Sequence, residues 1–508
     1  MNLHNLLNLL KYNPDNPITF LSAQFFWFIV IFIFIYSVFY KKVLARTIVL
    51  LVFSYYFYYK TSGLFVILLF LVSVFDYLFI KIIPLSRNKK ILKNILFTLS
   101  LIFNISVLGY FKYSNFFLEI FNDIFNSSFA ILDLALPIGI SFYTFQKLGY
   151  IIDVYRNNVD PPKNIFEFLT FVAYFPSIQS GPILRAKNFI PQLRLKERFL
   201  SDLSIRISNE QLGKAVFLII CGLVKKAIIS DYIGVNFVDR VFDNPTLYSG
   251  FENVFAAYGY ALQIYCDFSG YSDIAIGISL LVGFKIPINF NAPYKSSSVK
   301  EFWQRWHISL STWLRDYLFL PIAYKVARLL NNKKFLKIKA ETWSYHLATL
   351  LTMFICGLWH GANFTFIIWG LFHGLGLSLE RIFKSFFKIR GGKVSLFINT
   401  FITFHFIVFC WVIFRSSGFE NALQVYNQIM DFNSYSIFLD VISGYKEVFI
   451  IILIGYLLHF LPAKVDSFFE KLVIKSPMIL KASYLILIIW IISQMKSVAI
   501  QPFIYFNF

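Results

Sequence analysis

Charged residues are scarce in this chain of 508 residues, making up only 15% of the sequence. A soluble domain carries about 25% charged residues, so the shortfall excludes a water-exposed surface of this size. Apolar residues account for 58% of the sequence, and they gather into runs of about 20 residues, the length that spans a bilayer as a helix. The sequence therefore predicts an all-α, polytopic transmembrane helical bundle.

Acidic residues are also few relative to basic ones, and the formal net charge is +20. Nucleic-acid-binding proteins share such an excess, but here the Lys and Arg residues lie in short loops between apolar runs. This distribution is typical of membrane proteins that follow the positive-inside rule and contact anionic headgroups. We therefore predict membrane lipid as a partner and exclude nucleic acid.

Cysteine is rare, and its four occurrences lie in apolar segments without the spacing of metal ligands, at Cys221, Cys266, Cys356 and Cys410. Buried thiols explain them more simply than a disulfide framework or a zinc site. The sequence thus predicts no metal and no bound cofactor. Internal repeats and long Gly/Ser/Pro linkers are lacking as well, so residues 1–508 are predicted to form a single membrane domain.

The apolar runs predict about eleven membrane crossings together with shorter re-entrant helices. The long runs lie at 18–40, 43–59, 61–83, 91–111, 211–231, 252–282, 395–414, 447–463 and 482–500. Shorter or more polar runs lie at 134–152, 165–180, 303–322, 343–359 and 363–379. Among the long runs, 252–282 has the length for more than one element.

The charges of the loops predict the orientation of the spans. The loops after the first and third spans are basic, as are 325–339 and 381–393, so the positive-inside rule places all four in the cytoplasm. The loop 415–447 is more acidic and is predicted outside, which also places both termini outside. Residues 341–380 must then enter and leave the membrane from the cytoplasmic side, and we expect two short helices that meet at a turn near 357–363.

Ionisable residues at membrane depth are candidate functional residues because they are costly to bury. His360 lies at the predicted turn in 356-CGLWHGANFTFIIWGLFHG-374, where glycines indicate backbone that faces protein or a cavity. A neutral imidazole in a water-lined cavity can act as a general base near pH 7. Cys356 offers a second interpretation, a Cys/His nucleophile pair, whereas His373 would lie on another helix face.

A second polar segment is 301-EFWQRWHISLSTWLRDY-317. Read as one helix, it has Trp306 on an apolar stripe, with His307, Ser311 and Arg315 between that stripe and a polar one. Such a helix suits a re-entrant segment. The alternative is an amphipathic helix at the headgroups whose histidine is merely hydrogen-bonded.

Two carboxylates, Asp267 and Asp273, lie in an apolar run, and an irregular loop at 285–298 follows them. One interpretation makes the carboxylates ligands of a proton or cation pathway. The other, which we favour, has them hydrogen-bond Ser, Tyr and backbone groups to hold a broken helix.

Together these segments resemble the membrane-bound O-acyltransferase family. The resemblance is strongest to the bacterial branch that acylates cell-surface polymers, with its alginate and peptidoglycan O-acetyltransferases and teichoic-acid D-alanyl transferases. It rests on "LPIGISFYTFQKLGYIIDVYR", "YFPSIQSGPI", "YCDFSGYSDIAIGI", "NFNAPYKSSSVKEFWQRWHISLSTWLRDYLFLPI" and "GLWHGANFTFIIWGLFHG". These strings run from about residue 136 to 380, and the flanking helices at 18–111 and 395–500 fit the same fold.

The family has two marker histidines, and they match His360 and His307. The resemblance implies that His360 is catalytic near mid-membrane and that His307 supports it or serves the donor site. Further residues expected along a substrate or donor channel are Trp306, Ser311, Arg315, Asp267, Asn291, Trp359 and Asn363.

The segment 503-FIYFNF-508 resembles a Phe-x-Tyr-x-x-Phe motif that ends many bacterial relatives or sits on a small companion protein. The resemblance implies that the hydroxyl of Tyr505 carries the acyl group on the outer side. The alternative is an aromatic anchor in the membrane interface. The charge pattern independently places Tyr505 outside, as an acyl carrier requires.

The resemblance implies a membrane O-acyltransferase of the bacterial inner membrane, with acetyl-CoA or an acyl carrier as donor and a polysaccharide as acceptor. The chain has no G-x-S-x-G elbow, so an extracytoplasmic hydrolase-like partner of SGNH type is expected for the last transfer. Arg185, Arg194 and Lys325 are candidates to attract CoA phosphates, although the positive-inside rule explains them equally. D-alanyl transfer to teichoic acid and a non-enzymatic glycan transporter or flippase remain as alternatives.

Overall fold

A computed structural model describes residues 10–86, 88–195, 208–330, 334–335, 338–386, 392–494 and 501–504. Tyr505, the predicted acyl carrier, lies outside these residues. The chain divides into two compact units. The first unit comprises Met1–Cys221, Tyr271–Pro287 and Glu470–Ile486, and the second comprises Gly222–Gly270, Ile288–Phe469 and Leu487–Phe508.

The described residues of the N-terminal part form helices joined by loops. Its α-helices are α1 (Ala23–Phe39), α2 (Val43–Ser62), α3 (Phe65–Leu85), α4 (Lys90–Phe125), α5 (Ile140–Tyr155), α6 (Ile165–Ala173), α7 (Ala186–Leu193) and α8 (Asn209–Leu223). Two π-helical stretches follow, Val224–Asp231 and Gly234–Val238.

The central and C-terminal parts are also helical. Their α-helices are α9 (Asp239–Asp243), α10 (Gly250–Leu281), α11 (Val299–Arg305), α12 (Ile308–Leu314), α13 (Leu320–Leu329), α14 (Ala340–His360), α15 (Phe364–Phe386), α16 (Lys393–Arg415), α17 (Phe419–Met430), α18 (Phe438–Gly444), α19 (Lys446–Phe460), α20 (Ala463–Lys475) and α21 (Met478–Gln494). A π-helical stretch, Arg315–Phe319, links α12 to α13, and short 3-10 turns lie at Pro245–Leu247, Pro293–Lys295 and Phe432–Ile437. Within the described residues the only strands are β1 (Lys334–Phe335) and β2 (Ile338–Lys339), which pair antiparallel.

Aromatic packing forms much of the core of the first unit. Phe28 and Phe32 on α1 contact Phe57 and Phe175, with ring centroids 5.6 Å apart for Phe28–Phe57 and 5.2 Å for Phe32–Phe175. The chain enters α1 through Ser22, whose hydroxyl accepts a hydrogen bond from the backbone N–H of Phe25, the interaction typical of a helix N-cap.

A buried ion pair ties three helices of the first unit together. Lys147 Nζ on α5 lies 2.9 Å from Asp76 Oδ2 on α3, and the two side chains are 2% and 0% exposed. Asn104 on α4 donates a hydrogen bond of 2.7 Å to the other carboxylate oxygen of Asp76. The charge of Asp76 is thus matched by one ammonium and one amide donor, which offsets the cost of burying it.

Four helices are long and apolar enough to cross a membrane, namely α3, α4, α15 and α16. The bent pair α19 and α20, whose axes differ by 93°, raises the number to five when counted as one span. The prediction of an all-helical membrane bundle is confirmed. By length and composition, the described residues hold four or five spans where the sequence predicted about eleven crossings.

Two local predictions were wrong. The run 252–282 forms one continuous helix, α10, and not several elements. The segment 301–317 is not one helix, since α11 ends at Arg305 and α12 begins at Ile308. The single amphipathic helix drawn there from periodicity therefore does not exist.

A tightly packed hairpin of α14 and α15 lies at the centre of the second unit. A Cβ on Gly357 would collide with the backbone carbonyl of Phe366, and one on Gly370 would collide with the carbonyl of Met353. Only glycine permits this approach, as in many membrane helix pairs. The hairpin confirms the predicted turn near 357–363, although its helices, of 21 and 23 residues, are longer than expected.

Candidate active site

His360 is the last residue of α14, at the turn that joins the hairpin. The side chain of Asn363 stabilises the start of α15 by accepting a hydrogen bond of 2.9 Å from the backbone N–H of Thr365, an N-cap interaction. Its amide nitrogen also donates to the carbonyl of Ser417. The turn that carries His360 is therefore fixed on both sides by defined hydrogen bonds.

Aromatic rings enclose the imidazole of His360, which is 3% exposed. Its ring centroid lies 5.0 Å from Trp369 on α15 and 5.3 Å from Phe414 on α16, both in edge contacts. Trp369 also contacts His373, with centroids 4.8 Å apart. His360 and His373 thus lie on two different helices, α14 and α15, and both contact the same tryptophan.

Cys356 lies one turn before His360 on the uninterrupted helix α14 and is fully buried. This continuity is the condition on which a Cys/His pair depends. Whether the thiol takes part in chemistry stays a prediction.

His307 lies in the break between α11 and α12. Its backbone is in the left-handed region, with φ 41° and ψ 54°, a conformation that costs a non-glycine residue about 1–2 kcal/mol. Asn289 holds the break, because its carbonyl accepts from the Ile308 N–H at 2.9 Å and its side-chain oxygen accepts from the Ser309 hydroxyl at 2.6 Å. Backbone strain that is fixed by neighbouring contacts is a feature of functional sites.

The structure brings both marker histidines to one aromatic ring. The imidazole of His307 is 1% exposed, and its centroid lies 6.2 Å from Trp359, whose ring lies 4.9 Å from that of His360. On its other side His307 meets Phe268 on α10, at 4.6 Å. His307, Trp359 and His360 therefore form one cluster.

A polar cavity of about 340 Å³ opens beside this cluster. Phe414, which contacts His360, forms part of its wall, as do Asn363 and Arg415. Arg415 Nη2 lies 2.8 Å from Asp239 Oδ1 and 3.5 Å from Asp243. Hydroxyl, amide and charged groups dominate the lining, which suits a polar ligand better than an acyl chain.

Asp267 is buried at the wall of the same cavity, 2% exposed. Lys226 Nζ lies 2.5 Å from its Oδ1 and 2.7 Å from Asp231 Oδ1. The favoured interpretation, hydrogen bonds to Ser, Tyr and backbone groups, missed this ion pair. Lys226 and Asp231 were hidden from sequence reasoning within the apolar run 211–231, although two charges at membrane depth were a usable signal.

A second, smaller cavity of about 160 Å³ contains two other predicted residues, Ser311 and Arg315. Trp303 also lines it and donates from Nε1 to His373 Nδ1 at 3.2 Å. The wall of this cavity is mostly apolar. The side chain of Arg315, which lies at its edge, is 61% exposed. An apolar slot with a cation at its edge suits a ligand with an apolar arm and an anionic end.

Two predicted channel residues have other surroundings. Trp306 is 1% exposed and packs between Phe302 and Trp411, with centroids 5.5 and 4.9 Å away. Asn291 is exposed; its backbone N–H donates to the carbonyl of Arg305, and its own carbonyl accepts from the Arg305 guanidinium. In the loop 285–298 it is Asn289, not Asn291, that holds the His307 break.

Hydrogen bonds to the carboxylate of Glu301 hold the N-terminal end of α11. Burial raises the pKa of its carboxyl, but donors on Ser297 and Arg305 outweigh that effect and hold the pKa below its usual range. The ionised carboxylate therefore caps α11 at neutral pH.

Comparison with known proteins identifies relatives for most of the chain. A model of the membrane-bound O-acyltransferase family matches residues 55–422. The chain is 38% identical over 345 residues to the probable alginate O-acetylase AlgI of Pseudomonas aeruginosa, covering 67% of this chain and 61% of that protein. It is 36% identical over 369 residues to a peptidoglycan O-acetyltransferase of Helicobacter pylori, covering 68% of this chain and 66% of that protein.

A more distant similarity links the chain to a teichoic acid D-alanyltransferase of Streptococcus thermophilus, 33% identical over 302 residues, with 56% of this chain and 69% of that protein covered. The matched region spans slightly less than two thirds of the length of the first two relatives. His307 and His360 both lie inside the region that the family model matches.

Proposed function

Because the chain belongs to the membrane-bound O-acyltransferase family, we propose that it moves an acetyl group from a cytoplasmic thioester donor across the membrane for O-acetylation of a polysaccharide. The names of its relatives, an alginate O-acetylase and a peptidoglycan O-acetyltransferase, support this class of acceptor. The observation that carries the proposal is the cluster of His307, Trp359 and His360 beside a polar cavity.

In this proposal His360 is the general base. It takes the proton of an acceptor hydroxyl, whose oxygen attacks the thioester carbonyl. The new C–O bond forms as the C–S bond breaks, and the proton on His360 passes to the departing thiolate. The fixed turn at Asn363 and the enclosing rings of Trp369 and Phe414 hold the imidazole in one place, which favours such positioning.

The acceptor hydroxyl in this proposal belongs to Tyr505. An acyl-tyrosine at the outer surface would then be the donor for an SGNH-type hydrolase-like partner, which places the acetyl group on the polysaccharide. Tyr505 itself lies outside the described residues. Support comes from the segment directly before it, because residues 501, 502 and 504 line the polar cavity beside the histidine cluster.

The cavity of Ser311 and Arg315 is the proposed donor site, with acetyl-CoA as the donor. Its apolar wall would receive the pantetheine arm, and the exposed Lys325 would attract phosphates. The guanidinium of Arg315 at the edge would do so in competition with Asp316, whose Oδ1 lies 2.9 Å from Arg315 Nε. Arg194 is a weaker candidate than the sequence indicated, because two hydrogen bonds of 2.9 Å join its guanidinium to Glu167.

We also propose a bacterial inner-membrane location with both termini on the extracytoplasmic side. The shorter apolar helices α1 and α21, together with the remaining helices, would complete the predicted crossings. Basic loops on the cytoplasmic side support this orientation.

Replacement of His360 tests the enzyme. His360→Ala should lower polymer acetylation in cells at least a hundredfold at equal protein level, the loss typical of a missing general base. His405→Ala is the matched control, because His405 lies on α16 and bonds the carbonyl of Phe401. Unchanged acetylation in His360→Ala would favour the glycan transporter or flippase, which does not need this histidine.

The donor and the carrier are tested together with labelled acetyl-CoA and mass spectrometry of the C-terminal peptide. Label on Tyr505 supports both. Turnover without label on Tyr505 would reject the tyrosine carrier. Turnover only with D-alanyl thioester on a carrier protein would select the alternative that the D-alanyltransferase relative suggests.

A further inference from the structure

The polar cavity beside the histidine cluster contains a segment of the chain itself. Residues 501, 502 and 504 form part of its lining, although they are distant in sequence from every other residue there. The N–H of Ile504 donates a hydrogen bond of 2.9 Å to Asp267 Oδ2 on α10. The carbonyl of Pro502 lies 3.5 Å from the ammonium of Lys226, and Gln501 lines the same cavity as Asp231.

Two of these side chains meet the backbone group that they can pair with. Carboxylates accept hydrogen bonds and an ammonium donates them, and here Asp267 accepts from a backbone N–H while the ammonium of Lys226 faces a carbonyl. Lys226 and Asp267 are 7% and 2% exposed, so these bonds form away from bulk water. The pattern matches a peptide backbone.

The composition of this cluster explains why it takes a peptide donor. Two buried carboxyl groups share one ammonium. A buried polar or charged group without enough partners is expensive. The backbone N–H of Ile504 gives Asp267 a second donor besides Lys226, and so lowers the cost of burying that carboxylate.

A side chain also fixes the segment. Phe503 is 3% exposed and packs edge-on against Phe268, with centroids 5.5 Å apart. Phe268 in turn contacts the imidazole of His307 at 4.6 Å. The docked segment is therefore separated from a marker histidine by a single ring.

We propose that Lys226, Asp231 and Asp267 are a clamp for the backbone of residues 501–504, and that Phe268 is its aromatic pocket. The clamp positions the residue that follows, Tyr505, for acyl transfer. The docking stands on the contacts alone, whereas its role in positioning Tyr505 rests on the proposed function. Lys226, Asp231 and Asp267 are positioning residues in this reaction, not catalytic ones.

The test exchanges the charges, with Lys226→Asp and Asp267→Lys in one full-length protein in nanodiscs. The exchanged cluster keeps two carboxylates and one ammonium, so a merely structural ion pair survives. The clamp does not, because an ammonium now faces the N–H of Ile504 and a carboxylate faces the carbonyl of Pro502. Hydrogen–deuterium exchange at the amide of Ile504 is the readout, since it measures local opening.

We expect exchange at Ile504 to become at least tenfold faster and acetyl transfer to fall at least tenfold. The matched control exchanges the buried pair of the first unit, with Lys147→Asp and Asp76→Lys, and should leave exchange at Ile504 unchanged. Ile504→Pro is a second variant that alters only the segment. It removes the donated N–H, and it should speed exchange at Gln501 and lower acetyl transfer.

The outcomes separate the two parts of the proposal. Unchanged exchange in both the charge exchange and Ile504→Pro would overturn the clamp. Faster exchange with full acetyl transfer would confirm docking but overturn the positioning role. Loss of transfer in His360→Ala with normal exchange at Ile504 supports the proposed function and the clamp independently of each other.

Discussion

Each unit buries a lysine against aspartate, but the two clusters differ in what completes them. In the first unit one ammonium, Lys147, meets one carboxylate, Asp76, and Asn104 supplies the remaining donor. All three groups are side chains on helices that pack together. In the second unit Lys226 meets two carboxyl groups, and a further donor comes from the backbone N–H of Ile504.

This difference shows how a buried charge that stabilises a fold can be distinguished from one that prepares a site. A one-to-one ion pair that a side chain of its own helices completes leaves little demand for a ligand. A cluster in which two carboxyl groups share one ammonium at a cavity wall takes a further donor from elsewhere. By this criterion the second unit contains the site, and it is the unit that carries His307, Trp359 and His360.

Replacing one aspartate of each cluster with asparagine should distinguish the two clusters most strongly. Asp76→Asn removes the only carboxylate paired with Lys147 among the described residues, and it should lower the unfolding free energy by about 3 kcal/mol. Asp267→Asn should cost only about 1 kcal/mol, because Lys226 keeps Asp231 at 2.7 Å. Thermal unfolding in detergent measures both. Equal losses of stability would remove the distinction between the clusters.

Acetyl transfer should show the reverse order. Asp267→Asn should lower transfer more than Asp76→Asn does, when both are compared at a temperature where each variant is folded. A larger loss of transfer in Asp76→Asn would place the functional charge in the first unit.

Glycine contacts provide the next contrast. Gly357→Ala puts a methyl group against the carbonyl of Phe366 in the hairpin that carries His360, and overpacking of this kind costs about 2 kcal/mol. Gly109→Ala on α4 of the first unit is the matched control, because nothing lies within 4 Å of its Cβ. That control should stabilise the helix by less than about 1 kcal/mol. A neutral Gly357→Ala would contradict the close packing of α14 and α15.

The strained break at His307 should respond more weakly. Asn289→Ala removes the side-chain oxygen that accepts a hydrogen bond from the Ser309 hydroxyl. We expect acetyl transfer to fall about tenfold, which corresponds to a barrier higher by roughly 1.4 kcal/mol. Stability should change by about 1 kcal/mol. Asn399→Ala, a half-buried asparagine on α16, is the control. Equal transfer by the two variants would show that the break does not position His307 for chemistry.

The smallest effect is expected at an exposed ion pair. Lys446 and Glu447 lie 4.0 Å apart with side chains 70% and 61% exposed. Glu447→Gln should change the unfolding free energy by no more than about 0.5 kcal/mol, as for most surface pairs. A larger loss of unfolding free energy would mean that the exposure of a charged side chain does not indicate how much that side chain stabilises this protein.

Much of the architecture could be predicted because the bilayer imposes it. Apolar runs and basic loops indicated a helical membrane protein, and glycines around His360 indicated the turn that α14 and α15 form. Family strings indicated both histidines. These signals are local in sequence, so periodicity and spacing reveal them.

The remaining features depend on contacts between distant segments. The break at His307 carries no glycine or proline, and its geometry comes from Asn289, which is 18 residues earlier. Periodicity alone therefore predicted an unbroken helix. The partners of Lys226 include Asp267 and Pro502, and no sequence pattern joins positions so far apart. The loop 285–298 has neither helical nor strand periodicity, so nothing in the sequence distinguished Asn289 from Asn291.

Tryptophans lie around His360, so the candidate site can be observed by intrinsic fluorescence. The sequence contains 9 tryptophans, and five of them, Trp303, Trp306, Trp359, Trp369 and Trp411, contact one another or a histidine of the site. More than half of the tryptophans therefore report on the surroundings of His360 and His373. Trp303 also lines the cavity of Ser311 and Arg315, so we expect occupation of that cavity to change the intrinsic emission, without a dye and without any turnover of substrate.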